Sequence, residues 1–172
     1  MVHKYAFEIR PLMISCYFSD VQDSDCSWKG DPASLALHLI THHEISSFSG
    51  CKHHRLILEM ILEPDCYGYR FVVISFKGSE PRTMIFEEYY DEKSEILTLI
   101  LRSIQTEKLR YSMRIQGNGC ALEFEGTTQT FQDPTIDVNR KGLCIHFAQL
   151  QHLSEIRTGN ELRYKILVTL YT

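Results

Sequence analysis

The cysteines and histidines of this 172-residue chain are crowded toward one end, and that crowding constrains the fold more than any other feature. The chain holds 6 cysteines and 8 histidines, and His38, His42, His43, His53 and His54 fall within 17 residues of one another. Cys16 and Cys26 stand just upstream, so thiols and imidazoles coincide only in the first third. In a reducing compartment such thiols are read first as metal ligands or core residues and last as disulfides. The distribution implies a small metal-ordered N-terminal unit joined to a larger, metal-free body.

The spacing within that unit fits a Cys2His2 zinc site. Eleven residues separate Cys26 from His38, three separate His38 from His42, and His43 follows at once. Asp31-Pro32 suits a helix start, with Asp31 as the cap and Pro32 at the first position. On that helix, imidazoles at i and i+4, or at i and i+5 with a distorted last turn, reach one side. Cys16 and Cys26 supply the thiolates, His38 the first imidazole, and either His42 or His43 the last. Nine residues lie between the cysteines, longer than the usual gap of about two to four. Leu35 and Leu39 are expected to pack inward, and Trp28 to cover the cysteine knuckle. With no ligand position left open for water, the site reads as structural. So short a segment buries too little surface to fold alone, so zinc loss is expected to unfold only residues 1–45.

The body reads as β-structure. Leu56 to Glu63, Tyr69 to Ile74, Tyr111 to Gln116 and Leu162 to Leu170 alternate with period two. In the second of these both faces are apolar, as in a strand at the centre of a sandwich. Gly117-Asn118-Gly119 supplies the positive φ angles of a hairpin whose return strand holds Leu122-Glu123-Phe124-Glu125. Phe147, Leu150, Leu153 and Ile156 recur at helical spacing and predict one short helix ending near Gly159. Residues 77–93, acidic around Glu87, Glu88, Asp91 and Glu92, are expected to form a solvated loop. Short strands separated by turn signals predict a mainly β fold, an antiparallel β-sandwich.

Several classes of function are disfavoured. With 18 Lys and Arg against 22 Asp and Glu, the formal charge of -4 lacks the basic excess of a nucleic-acid surface. The apolar run Ile96 to Leu101 is too short to cross a bilayer, and the first residues lack a signal-peptide h-region. No membrane partner is expected, and the chain is placed in the cytoplasm or nucleus. There is no phosphate loop, dinucleotide fingerprint or catalytic triad, so the chain is not read as an enzyme. Cys144 and His146 sit two apart on a strand, too far for a thiolate–imidazole pair. Cys66, Cys120 and Cys144 are read as core thiols, and Lys52-His53-His54-Arg55 as a solvated flank.

Beyond spacing, an ordered set of motifs resembles the seven-in-absentia (Sina/Siah) family. Cys26-Ser27-Trp28-Lys29-Gly30, His38-Leu39 and His42-His43 resemble its second zinc finger, and Glu8-Ile9-Arg10-Pro11 the segment before it. Ile45-Ser46-Ser47-Phe48-Ser49-Gly50 is similar to the linker into the family's substrate-binding domain. Cys66-Tyr67-Gly68-Tyr69-Arg70-Phe71, Tyr111 to Ile115, Leu122 to Thr127 and Leu143-Cys144-Ile145 follow in the family's order. Reading forward from Cys26 favours His43 as the fourth ligand; reading back from Ile45 favours His42, which is taken as the longer match.

The resemblance implies a zinc finger over residues 1–45 and a TRAF-like sandwich of about eight strands over 46–172. It also implies capture of extended Val-x-Pro peptides as an added strand, and dimerisation. The peptide groove would draw on Ser46, Phe48, Leu58, Met60, Leu62 and Lys165. Met60 replaces a family tryptophan, which alters the pocket for proline. The family's RING and first finger have no counterpart in these residues, and Phe7 stands where that finger's last ligand is expected. The expected role is therefore a RING-less adaptor of ubiquitin-dependent degradation, a homodimer or a heterodimer with a Siah-family ligase. The alternative is a scaffold subunit of an unrelated complex that has lost degron binding.

Overall fold

The computed structural model describes residues 13–16, 18, 26–51, 54–62, 68–76, 82–105, 107–130, 142–154, 156–158 and 161–171. Residues 8–11, Lys52, His53, Cys66 and Gly159, which carry some of the sequence readings, lie outside that set. In chain order the elements are β1 (Ile14–Ser15), β2 (Lys29–Gly30), α1 (Pro32–His42), β3 (Ser47–Cys51), β4 (Arg55–Leu62), β5 (Gly68–Phe76), β6 (Arg82–Asp91) and β7 (Ile96–Ser103). After these come β8 (Arg110–Gly117), β9 (Cys120–Thr127), β10 (Gln129–Thr130), β11 (Leu143–His146), α2 (Phe147–Leu153), β12 (Ile156–Thr158) and β13 (Glu161–Tyr171). The chain is mainly β, as its periodicity predicts.

Two large sheets share one core. The six-stranded sheet runs β10-β7-β6-β5-β3, with β11 also pairing with β7. The five-stranded sheet runs β12-β13-β8-β9, with β4 on the other side of β13. Alternation points Leu162, Tyr164, Ile166, Val168 and Leu170 inward from β13 against Val72, Ile74 and Phe76 of β5 and Leu97, Leu99 and Leu101 of β7. Between β8 and β9 the turn residues Asn118 and Gly119 take φ of 48° and 76°, the left-handed pair a two-residue hairpin needs. Gly117, just before them, is required for a different reason: a Cβ there would lie 2.1 Å from the Leu153 carbonyl oxygen.

Both faces of β5 are apolar because each covers a different neighbour. Val72, Ile74 and Phe76 enter the core between the sheets. Phe71 and Val73 turn the other way, joining Ile85 and Ile104 against Ile14, Cys16, Leu35 and Leu39 of the N-terminal unit. That second cluster crosses the boundary expected at residues 45 and 46.

Three readings of the sequence are corrected. The acidic stretch expected as a loop contains β6, which pairs on both sides, with β5 and β7. Glu87 is buried in an ion pair with Arg102 at 2.6 Å, while Glu88 accepts a hydrogen bond from Tyr164 Oη at 2.9 Å and faces Arg70 at 3.6 Å. Paired carboxylates can occupy a buried strand that unpaired ones could not. The predicted helix stops at Leu153, where the extended Ser154 caps it, so Ile156 lies in β12. Cys120 and Cys144 are exposed rather than core thiols: Cys144 points outward between buried Leu143 and Ile145.

Candidate metal centre

The local sequence folds into a ribbon and a helix that converge on one point. β1 and β2 pair antiparallel, Ile14 opposite Gly30, and the Cys16 N–H donates to the Trp28 carbonyl at 3.1 Å. Cys16 thus leaves one arm of the ribbon just as Cys26 leads into the other. Asp31 then caps α1 by accepting from the Ala33 and Ser34 N–H groups, and Pro32 occupies the first turn, as expected. Leu35 and Leu39 are buried one turn apart and seat the helix.

The ligand atoms of Cys16, Cys26, His38 and His43 all lie within 4.8 Å of one another. Cys26 Sγ is 3.3 Å from both His38 Nε2 and His43 Nε2, and Cys16 Sγ is 3.4 Å from His43 Nε2. Bonds of about 2.3 Å to sulfur and 2.0–2.1 Å to nitrogen in a tetrahedron put S and N about 3.5 Å apart. The four donors therefore fit one tetrahedral ion, and the set of two thiols and two imidazoles is the soft, nitrogen-containing one that such ions select.

His42 is corrected as the fourth ligand. Its side chain is exposed, and the imidazole in the cluster is that of His43. In an unbroken helix His43 would point well away from His38. Instead α1 ends at His42, His43 caps it at φ -110° and ψ 5°, and Glu44 reverses the chain at φ 52°. That bend turns the His43 ring back to the thiols and leaves the His42 ring 5.0 Å from that of His38, outside the donor set.

Aromatic plates hold both imidazoles. Trp28 stacks on His38 at 4.6 Å, and Phe18, which the sequence reading missed, stacks on His43 at 4.3 Å. Gly30 is needed for this, since a Cβ there would lie 2.4 Å from the Trp28 ring. Burial, helped by the neighbouring thiol of Cys26, pushes the Cys16 thiol up to about 11. Such a thiol becomes a thiolate at neutral pH only beside a strong positive charge, which a bound metal supplies. Burial lowers His38 and His43, keeping both rings in the neutral form that ligates metal.

The residues expected to bind a peptide do not meet on one surface. Leu58, Met60 and Leu62 are buried between the sheets, with Met60 opposite Tyr164 in the ladder. Lys165 points the other way and pairs with Glu59 at 3.7 Å. Ser46 and the 41% exposed Phe48 lie at β3, in the other sheet. Ile57, on the outer face of β4, is 62% exposed. His146 caps α2 through its ring nitrogen, and Cys144 sits near Thr98, so they form no catalytic pair.

No protein-family model matches the chain, and no characterised protein matches it in sequence.

Proposed function

We propose that the chain is a protein-interaction module: a zinc finger of the seven-in-absentia type docked on a TRAF-like sandwich that takes extended peptide segments of partner proteins. The observation that carries this is a pair of open sheet edges. Among the described residues, β3 pairs only with β5 and β4 only with β13, and only three residues separate the two edge strands in sequence. Open edges offer backbone donors and acceptors to an added strand. The side chains available to read it are Ser46 and Phe48 at β3 and Ile57 and Glu59 at β4. The finger is structural, and zinc is the ion its S2N2 donors suit. In the adaptor reading this module brings clients to a ubiquitin ligase, as a homodimer or paired with a Siah-family ligase, and has no ligase activity of its own.

Titration of the full chain with a labelled Val-x-Pro peptide, beside a scrambled one, tests the reading. Saturable binding weakened at least about tenfold by Phe48→Asp or Ile57→Asp supports it. Equal binding of both peptides, or none at millimolar concentration, sinks it. The burial of Met60 favours the second reading, a scaffold subunit that no longer binds degrons. That reading expects no peptide binding but a stable complex through another face.

A further inference from the structure

Four donors complete the tetrahedral set, and a fifth stands at its mouth. Cys16 is 1% exposed and offers no open route to solvent. On the other side lies an open cleft lined by Cys26, Ser27, Trp28, His38, His42 and His43, with Cys16 absent from its wall. His42 is the exposed imidazole of that wall, one helical turn from His38 and ring to ring with it at 5.0 Å. We propose that His42 is an exchange ligand, which binds the ion at the mouth of the centre and passes it to and from the four-donor set. This rests on the metal-centre reading above.

The chemistry supports a fifth donor. A d10 ion has no electronic preference among geometries and expands to five-coordinate, so ligands on it are exchanged through an added bond. An imidazole fixed beside the site forms that bond at high effective concentration, as free ligands in solution do not. On entry, a nitrogen of His42 would replace one water on the ion; the four protein donors would then displace the remaining waters and His42, and the two thiols would release their protons to solvent. No electron is transferred. The arrangement also accounts for two adjacent histidines at the end of the helix when four ligands need only one of them: His43, on the cap, holds the ion, and His42, on the last turn, delivers it.

The test uses the full chain loaded with zinc, mixed with excess chromophoric chelator, while release is followed by stopped flow. Equilibrium affinity is measured separately by competition. His42→Ala should slow release and reloading about tenfold while changing affinity less than about twofold. His42→Cys, which keeps a donor, should restore the rate. Unchanged or faster exchange in His42→Ala overturns the proposal, and so does a matching loss of affinity, which would make His42 an equilibrium ligand. Cys16→Ser, which removes a donor that His42 cannot replace, separates this from the underlying reading: if it binds zinc as tightly as the parent chain, the four-donor centre itself is wrong.

Discussion

Withdrawing the metal should loosen the β body as well as the finger. The finger contributes Ile14, Leu35 and Leu39 to a cluster whose other side is Val73, Ile85 and Ile104 of the six-stranded sheet and the turn after β7. Fully burying a side chain of this size is worth about 1.5–3 kcal/mol, so baring the three sheet residues removes about 4.5–9 kcal/mol at most. A domain's whole stability is about 5–15 kcal/mol. Even a third of the maximum, about 3 kcal/mol, shifts the melting temperature of a chain this long by about 6–12 °C. Two signals separate the parts: Trp28 is the single tryptophan and lies in the finger, whereas far-UV circular dichroism follows the strands. Melts of the chelator-treated protein and of Cys26→Ser should show the strand transition falling by that amount together with the tryptophan signal. If the Trp28 signal is lost while the strand transition moves by less than about 1 °C, the cluster does not couple the two parts.

Further outcomes follow from particular contacts. Gly117→Ala should cost about 1–3 kcal/mol or more in urea unfolding, because its Cβ meets the Leu153 backbone at 2.1 Å. Gly119→Ala, with open space around it and only its φ of +76° to strain, should cost about 1 kcal/mol. Met60→Ala should lower stability by about 2–5 kcal/mol, since Met60 lies in the core, and should leave the relative affinities of peptides unchanged in binding assays. Burial raises the Glu88 carboxyl above its ordinary 4.5, against the pull of Arg70 and the Tyr164 hydroxyl. The folded state then holds a proton that the unfolded state has lost, so this group's contribution to stability falls as pH rises from the ordinary value through the raised one. Glu88→Gln should flatten that slope in urea midpoints measured between about pH 5 and pH 8; an unchanged slope would show that Glu88 does not cause it.

Period two made β4, β5, β8 and β13 legible, because alternation along a strand leaves a repeating mark. The Leu162-to-Leu170 series is of this kind, whereas the Asn118-Gly119 turn was legible from residues that tolerate positive φ. β6 was hidden by chemistry rather than by pattern. Glu87 and Glu88 look like loop residues until Arg102, Arg70 and Tyr164, all distant in sequence, are seen to satisfy them. The double apolar face of β5 was visible, but which layer covered it was not, since nothing local tells a second sheet from a finger. Three ligands were legible from spacing, and the fourth depended on where α1 ends. One residue of helix more or less exchanges His42 for His43, and the left-handed conformation of Glu44 that decides it carries no glycine to announce it.

The same one-residue sensitivity bears on the peptide surface. Along β4 a shift by one position exchanges the inward set Leu58, Met60 and Leu62 for the outward set Ile57, Glu59 and Ile61. Tyr164 opposite Met60 fixes the register, so any strand added at this edge meets Ile57 and Glu59 on the outer face. On that face Ile57 lies opposite Leu167, which lies opposite Arg114, and Lys165 stands one pleat along. Lys165 already faces Glu59 at 3.7 Å and Arg114 faces Glu123 at 4.0 Å, so what this face offers a peptide is the apolar floor of Ile57 and Leu167, which suits an aliphatic side chain. If peptide binding is retained at this edge, its specificity should therefore move toward aliphatic sequences. A paired comparison of Val-x-Pro and Val-x-Leu peptides against Ile57→Asp would measure that shift, and a continued preference for the proline peptide would argue that the edge at β3, with Phe48, does the reading instead.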